Sequence, residues 1–98
     1  MLSARKLSTG AVPRLSAFYG MVVFMPTNDH DPPHFHVKRA EHAARVVIAT
    51  GQILPGATLS NRAIRLVNEW RRLHIDELFG AWNALRAGRV PPTIEPLE

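Results

Sequence analysis

The chain has 98 residues, 46% hydrophobic and 20% charged, enough for one small domain with a modest core. It contains no cysteine, which excludes disulfides and thiolate metal sites and makes an intracellular, cytoplasmic setting the expectation. Twelve Lys/Arg against eight Asp/Glu give a formal net charge of +4, dispersed along the chain, a balance that suits nucleic acid or an acidic protein as partner.

Residues 1–12 carry Arg5 and Lys6 but no apolar segment of the kind found in secretory signals, and read as a flexible extension before a single domain over residues 13–98. No apolar run approaches the length of a membrane span, so no membrane partner is expected. Phe18 to Met25 is a continuous apolar run of strand length with apolar residues on both faces, which predicts a central strand. Pro26-Thr27-Asn28-Asp29 ends it with turn chemistry.

The next seven residues, His30-Asp31-Pro32-Pro33-His34-Phe35-His36, hold three of the five histidines. The prolines stiffen the approach, and the two-residue spacing of His34 and His36 puts both rings on one face of a strand. A second strand is expected from about His34 to Arg39 and a third from about Ala43 to Thr50, joined by a tight turn near Glu41-His42. In that register Phe35 and Val37 meet Val46 and Ile48 on the core side. His34, His36 and Lys38 share the open side with Arg45 and Val47.

Thr50-Gly51 and Pro55-Gly56 are turns, and Ser60 is the expected N-cap of a helix from Asn61. At about 100° per residue, Ala63, Leu66, Val67, Trp70 and Leu73 form one apolar stripe and Ile75, Leu78, Phe79, Trp82 and Leu85 another, out of phase with the first. One straight helix cannot bury both, so a break is predicted near His74-Ile75. Gly88 and then Pro91-Pro92 stop the second helix. The expected fold class is α+β: a three-stranded, mainly antiparallel sheet followed by two C-terminal helices packed on one face.

The run Asn28-Asp29-His30-Asp31-Pro32-Pro33-His34-Phe35-His36-Val37 resembles the signature of the domain-of-unknown-function family 4160, small bacterial proteins, with Asp31 where asparagine is common. Arg62 to Trp70, then Leu73-His74, Asp76-Glu77-Leu78 and Ile94-Glu95-Pro96-Leu97, are similar to later segments of that family, so the resemblance spans about Pro13 to Leu97. Members are often encoded beside a second small protein, of the family numbered 2442. That arrangement implies a toxin-antitoxin pair with the neighbour-encoded protein as partner.

Three functional readings follow. The first is a toxin component, a small ribonuclease in which His30, His34 and His36 do acid-base work on RNA. Lys38 and Arg45 would then contact phosphate, as would a stripe of Arg62, Arg65 and Arg72 on the first helix, which otherwise reads as a solvated face with Arg65-Glu69 as an i,i+4 pair. The second is a non-catalytic module that pairs with the neighbour-encoded protein and contacts nucleic acid or regulates its operon. The third is a metal-dependent hydrolase. No cofactor is assigned, but a metal would be held by His34 and His36 with His30 or Asp29. A lone His74 at the helix break is expected to bond a carbonyl, the tryptophans to lie in the core, and an exposed sheet edge to permit a homodimer.

Overall fold

A computed structural model describes residues 12–98, so the extension read over residues 1–12 lies, apart from Val12, outside the described residues. The elements in chain order are β1 (Arg14–Phe18), β2 (Met21–Phe24), β3 (His34–Arg39), β4 (His42–Val47), α1 (Asn61–Leu73) and α2 (Ile75–Arg86). The α+β class holds, with an antiparallel sheet and two C-terminal helices, but the sheet has four strands in the order β1-β2-β3-β4 rather than three. The additional strand arises because the apolar run from Phe18 is not one strand. Tyr19 and Gly20 both take positive φ (51° and 76°), the conformation of a two-residue hairpin turn, and fold β1 back on β2.

β3 lies in the interior of the sheet. Its register puts Phe35 opposite Val46 and His36 opposite Arg45, so the expected division of faces holds. The turn to β4 is Ala40-Glu41, one residue earlier than expected, and β4 ends at Val47 because residues 48–50 turn toward Gly51. On the inward face Phe35, Val37, Val23 and Val46 join Ala63, Val67 and Trp70 of α1 and Leu78, Ala81, Trp82 and Leu85 of α2 in one core. Trp70 is fully buried between the rings of Phe18 (5.4 Å) and Phe35 (5.8 Å), and its indole N–H donates to the Glu95 carbonyl at 2.8 Å. Truncating a residue so placed costs about 3–5 kcal/mol.

Both sheet edges are covered in part. Ile94 N–H donates to the Leu15 carbonyl beside β1, and Leu54 N–H donates to the Arg45 carbonyl beside β4. The edge on which a homodimer was expected is therefore engaged by the chain itself at these positions.

Ser60 caps α1 as expected, its hydroxyl accepting from Ala63 N–H at 3.1 Å. The chain breaks between Leu73 and Ile75, where the two apolar stripes change phase. Leu73 itself is 67% exposed, since it falls on the last residue of α1 as the chain turns away from the core. His74 caps that break with its ring against Trp70, and its Nδ1 pairs with the Glu77 carboxylate rather than with a carbonyl.

A buried arginine ties α1 to the end of β4. The Arg71 guanidinium donates to the Ile48 carbonyl at 2.9 Å and to Asn68 Oδ1 at 2.8 Å, and burial lowers its pKa. This contact requires glycine at position 51. A Cβ there would lie 2.3 Å from Asn68 Oδ1 and 2.9 Å from Arg71 Nε, at a φ of +79°. Gly56 has a similarly positive φ, +94°, but open space around it. Gly56→Ala is therefore expected to cost only the left-handed backbone term, about 1–2 kcal/mol, in urea unfolding. Gly51→Ala should cost clearly more, and equal losses would contradict this account of Arg71.

Candidate functional site

β3 begins at His34 because two prolines precede it and its own N-terminal residues pair with β4. The Asp31-Pro32 peptide is cis, and the Pro33 carbonyl accepts from Ile48 N–H at 3.0 Å. The loop turns back over the outer face of the sheet and brings Asp29 to the two strand histidines. Asp29 Oδ2 lies 2.8 Å from His36 Nε2 and 3.3 Å from His34 Nε2. Among the described residues, Asp29, His34 and His36 form a group whose ligand atoms all lie within 4.8 Å of one another.

The two histidines differ in access. His34 is 5% exposed, with its ring 5.6 Å from that of Trp82 and 5.3 Å from that of His36. The histidine side of β3 is thus not wholly open. Trp82, which the apolar stripe of α2 assigned to the core, is buried there and also closes over His34. His36 is partly buried, stacked on Phe24 at 5.1 Å, and lines a small groove of about 180 Å³ with Arg45 and Pro55. Burial lowers the His36 pKa from the ordinary imidazole value. The hydrogen bond and charge of Asp29 oppose that shift, while His34 and Arg45 reinforce it. His36 is therefore held toward its neutral form.

His30 does not join the group. It is exposed in the loop, so the three sequence-predicted histidines resolve into two that converge and one that does not, with Asp29 as the third member. The basic candidates divide as well. Lys38 and Arg45 are exposed on the outer sheet face, Arg45 directly opposite His36 with Nη2 donating to the Pro55 carbonyl at 2.8 Å. Arg62, Arg65 and Arg72 line a separate groove on α1, in the helix layer that packs on the other face. No ion pair joins Arg65 to Glu69 among the described residues.

One basic residue escaped the sequence reading. Arg14 is exposed on β1 opposite Phe24, and Phe24 is opposite His36, which is opposite Arg45. Arg14, Phe24, His36 and Arg45 thus form one row across all four strands, about 14 Å long at a strand spacing of about 4.8 Å. Nothing local in the sequence marks Arg14, because its place in the row depends on a strand hidden behind the Tyr19-Gly20 turn.

The hydrogen bonds fix one tautomer. A carbonyl can only accept, so the 2.8 Å contact of His34 Nδ1 with the Pro32 carbonyl puts the proton on Nδ1, and the neutral ring has a bare Nε2 facing Asp29. Long-range ¹H-¹⁵N spectra are expected to show His34 with a protonated Nδ1. The opposite pattern would contradict the bond to Pro32.

The sequence matches the family described as Domain of unknown function (DUF4160) over residues 20–83, from the β1-β2 turn through most of α2, a shorter span than the sequence resemblance suggested. No curated protein and no solved structure matches the chain. With its histidine loop, three of its four strands and α1 inside the matched span, the chain belongs to the DUF4160 family.

Proposed function

We propose that this protein acts on RNA on the outer face of its sheet, as the toxin component of a toxin-antitoxin pair, with Asp29, His34 and His36 as its reactive centre. The observation that carries the reading is the row Arg14-Phe24-His36-Arg45. Two cations flank an aromatic ring and an imidazole on a sheet face, beside the one converging group of histidines and carboxylate found among the described residues. Phosphates pair with the cations and bases stack on rings, and a span of about 14 Å is comparable to other sheet faces that hold two or three stacked bases. The family resemblance and the neighbour-encoded partner it implies support the toxin assignment. The arginine groove on α1 lies in the other layer and is left free for that partner.

The reaction that suits such a centre is transesterification. The ribose 2′-oxygen forms a bond to the adjacent phosphorus while its proton passes to the centre. The P–O5′ bond breaks, and the departing oxygen takes a proton from water. The products are a 2′,3′-cyclic phosphate and a 5′-hydroxyl. With His34 buried and His30 outside the group, the histidines do not offer an exposed acid and an exposed base side by side, and His36 is the ring within reach of substrate.

Expression of the chain alone is expected to arrest growth. Coexpression of the neighbour-encoded protein or a folded His36→Ala variant should relieve the arrest. RNA bound without cleavage or arrest would instead make the domain a non-catalytic binding module. In fluorescence anisotropy with a short single-stranded RNA, Arg14→Ala and Arg45→Ala should each lower the slope of log affinity against log salt by about 0.7. Arg62→Ala, Arg65→Ala and Arg72→Ala should leave it unchanged; losses confined to those three would move the interface to α1.

A further inference from the structure

We propose that Asp29 Oδ2, His34 Nε2 and His36 Nε2 bind a divalent transition-metal ion. This deepens the reading of the same group as a reactive centre, and it is carried by a different observation. His34 is buried, its Nδ1–H is spent on the Pro32 carbonyl, and its Nε2 lies 3.3 Å from a carboxylate oxygen that also lies 2.8 Å from His36 Nε2. A ring nitrogen and a carboxylate oxygen that face each other so closely share either a proton or a metal ion, and the second imidazole on the same oxygen favours the metal ion.

The arrangement of His34 is the one that metal-binding imidazoles have. The far ring nitrogen donates to a backbone carbonyl, which fixes the tautomer and the ring orientation. Trp82 packs on the ring and the Pro33 carbonyl accepts from Ile48 N–H, so the ligand is held by the fold rather than by the ion. The spacing is also suitable. An ion bonded to nitrogen and oxygen at about 2.0–2.2 Å, with angles between octahedral and tetrahedral, needs donors roughly 2.9–3.5 Å apart. Asp29 Oδ2 stands 3.3 Å from His34 Nε2, inside that range, and 2.8 Å from His36 Nε2, just short of it, and all three ligand atoms lie within 4.8 Å of one another, so small side-chain shifts bring them onto one ion. His36 needs only to carry its proton on Nδ1 to complete the set. Two imidazoles and one carboxylate favour Zn²⁺, Co²⁺ or Fe²⁺ over Mg²⁺, which prefers oxygen ligands. Three protein ligands leave a coordination position for water, the pattern of a catalytic rather than a structural site.

The test uses the full chain without an affinity tag, treated with chelator and titrated with Zn²⁺ by calorimetry and with Co²⁺ by visible absorption. The expected result is one ion per chain and a higher melting temperature. Loss of an outer partner of a metal ligand costs about 10–100-fold in affinity, so Asp29→Asn and His36→Ala, which remove ligands themselves, are expected to cost about 100-fold or more. His30→Ala is expected to cost nothing. His34→Ala opens a buried position, so the two more accessible ligands carry the test. No stoichiometric binding by the folded chain, or equal binding by the Asp29→Asn and His36→Ala variants, overturns the site. RNA cleavage by a chain that binds no Zn²⁺ overturns the site while leaving the proposed function standing. Zn²⁺ bound at full stoichiometry by a protein that neither binds nor cuts RNA supports the site and overturns the function.

Discussion

His34 is the first residue of an interior strand and the buried member of a polar group, and each role constrains the other. As a strand residue it must point away from Phe35, which packs on Trp70 in the core. As a buried polar residue it must find partners, because an unsatisfied ring nitrogen in that position costs about 1–3 kcal/mol. The Pro32 carbonyl meets one nitrogen, and Asp29 stands before the other. The stiff loop between Pro26 and Pro33 supplies both, so the fold of the sheet and the assembly of the site come from the same turn of chain.

The two layers divide the work. The inward face of the sheet and both helices bury the apolar residues, while the outer face keeps Phe24, His36 and Arg45 in register. Cations follow the same division, with Arg14, Lys38 and Arg45 on the sheet and Arg62, Arg65 and Arg72 on α1. These cations form two separate basic surfaces, one beside the histidine group and one on α1. The surface ion pair of Arg86 with Asp31, at 3.4 Å, adds little stability but joins α2 to the histidine loop on the side where Trp82 covers His34.

Much of this is legible in the sequence. Period-two alternation assigned the faces of β3 and β4, a phase slip in the apolar stripes located the helix break at His74, and Ser60 announced the start of α1. The hidden features share a cause. The Tyr19-Gly20 turn sits inside an apolar run with no polar residue to mark it, so the strand read from Phe18 to Met25 shares only Phe18 with β1, and residues 14–17, Arg14 among them, stay outside it. Which histidines converge is decided by the path of the loop, and the alternation rule says nothing about His30 or Asp29, which are not in a strand. Arg71 reads locally as one more helix arginine, and only the close approach of Gly51 shows it to be buried.

The most direct test of the central claim is a titration of ¹⁵N-labelled protein with a short single-stranded RNA, followed by amide chemical shifts. The largest changes are expected on Arg14, Phe24, His36, Lys38 and Arg45, across four strands of one face. Changes confined to Arg62, Arg65 and Arg72 on α1, or no changes at all, would contradict it.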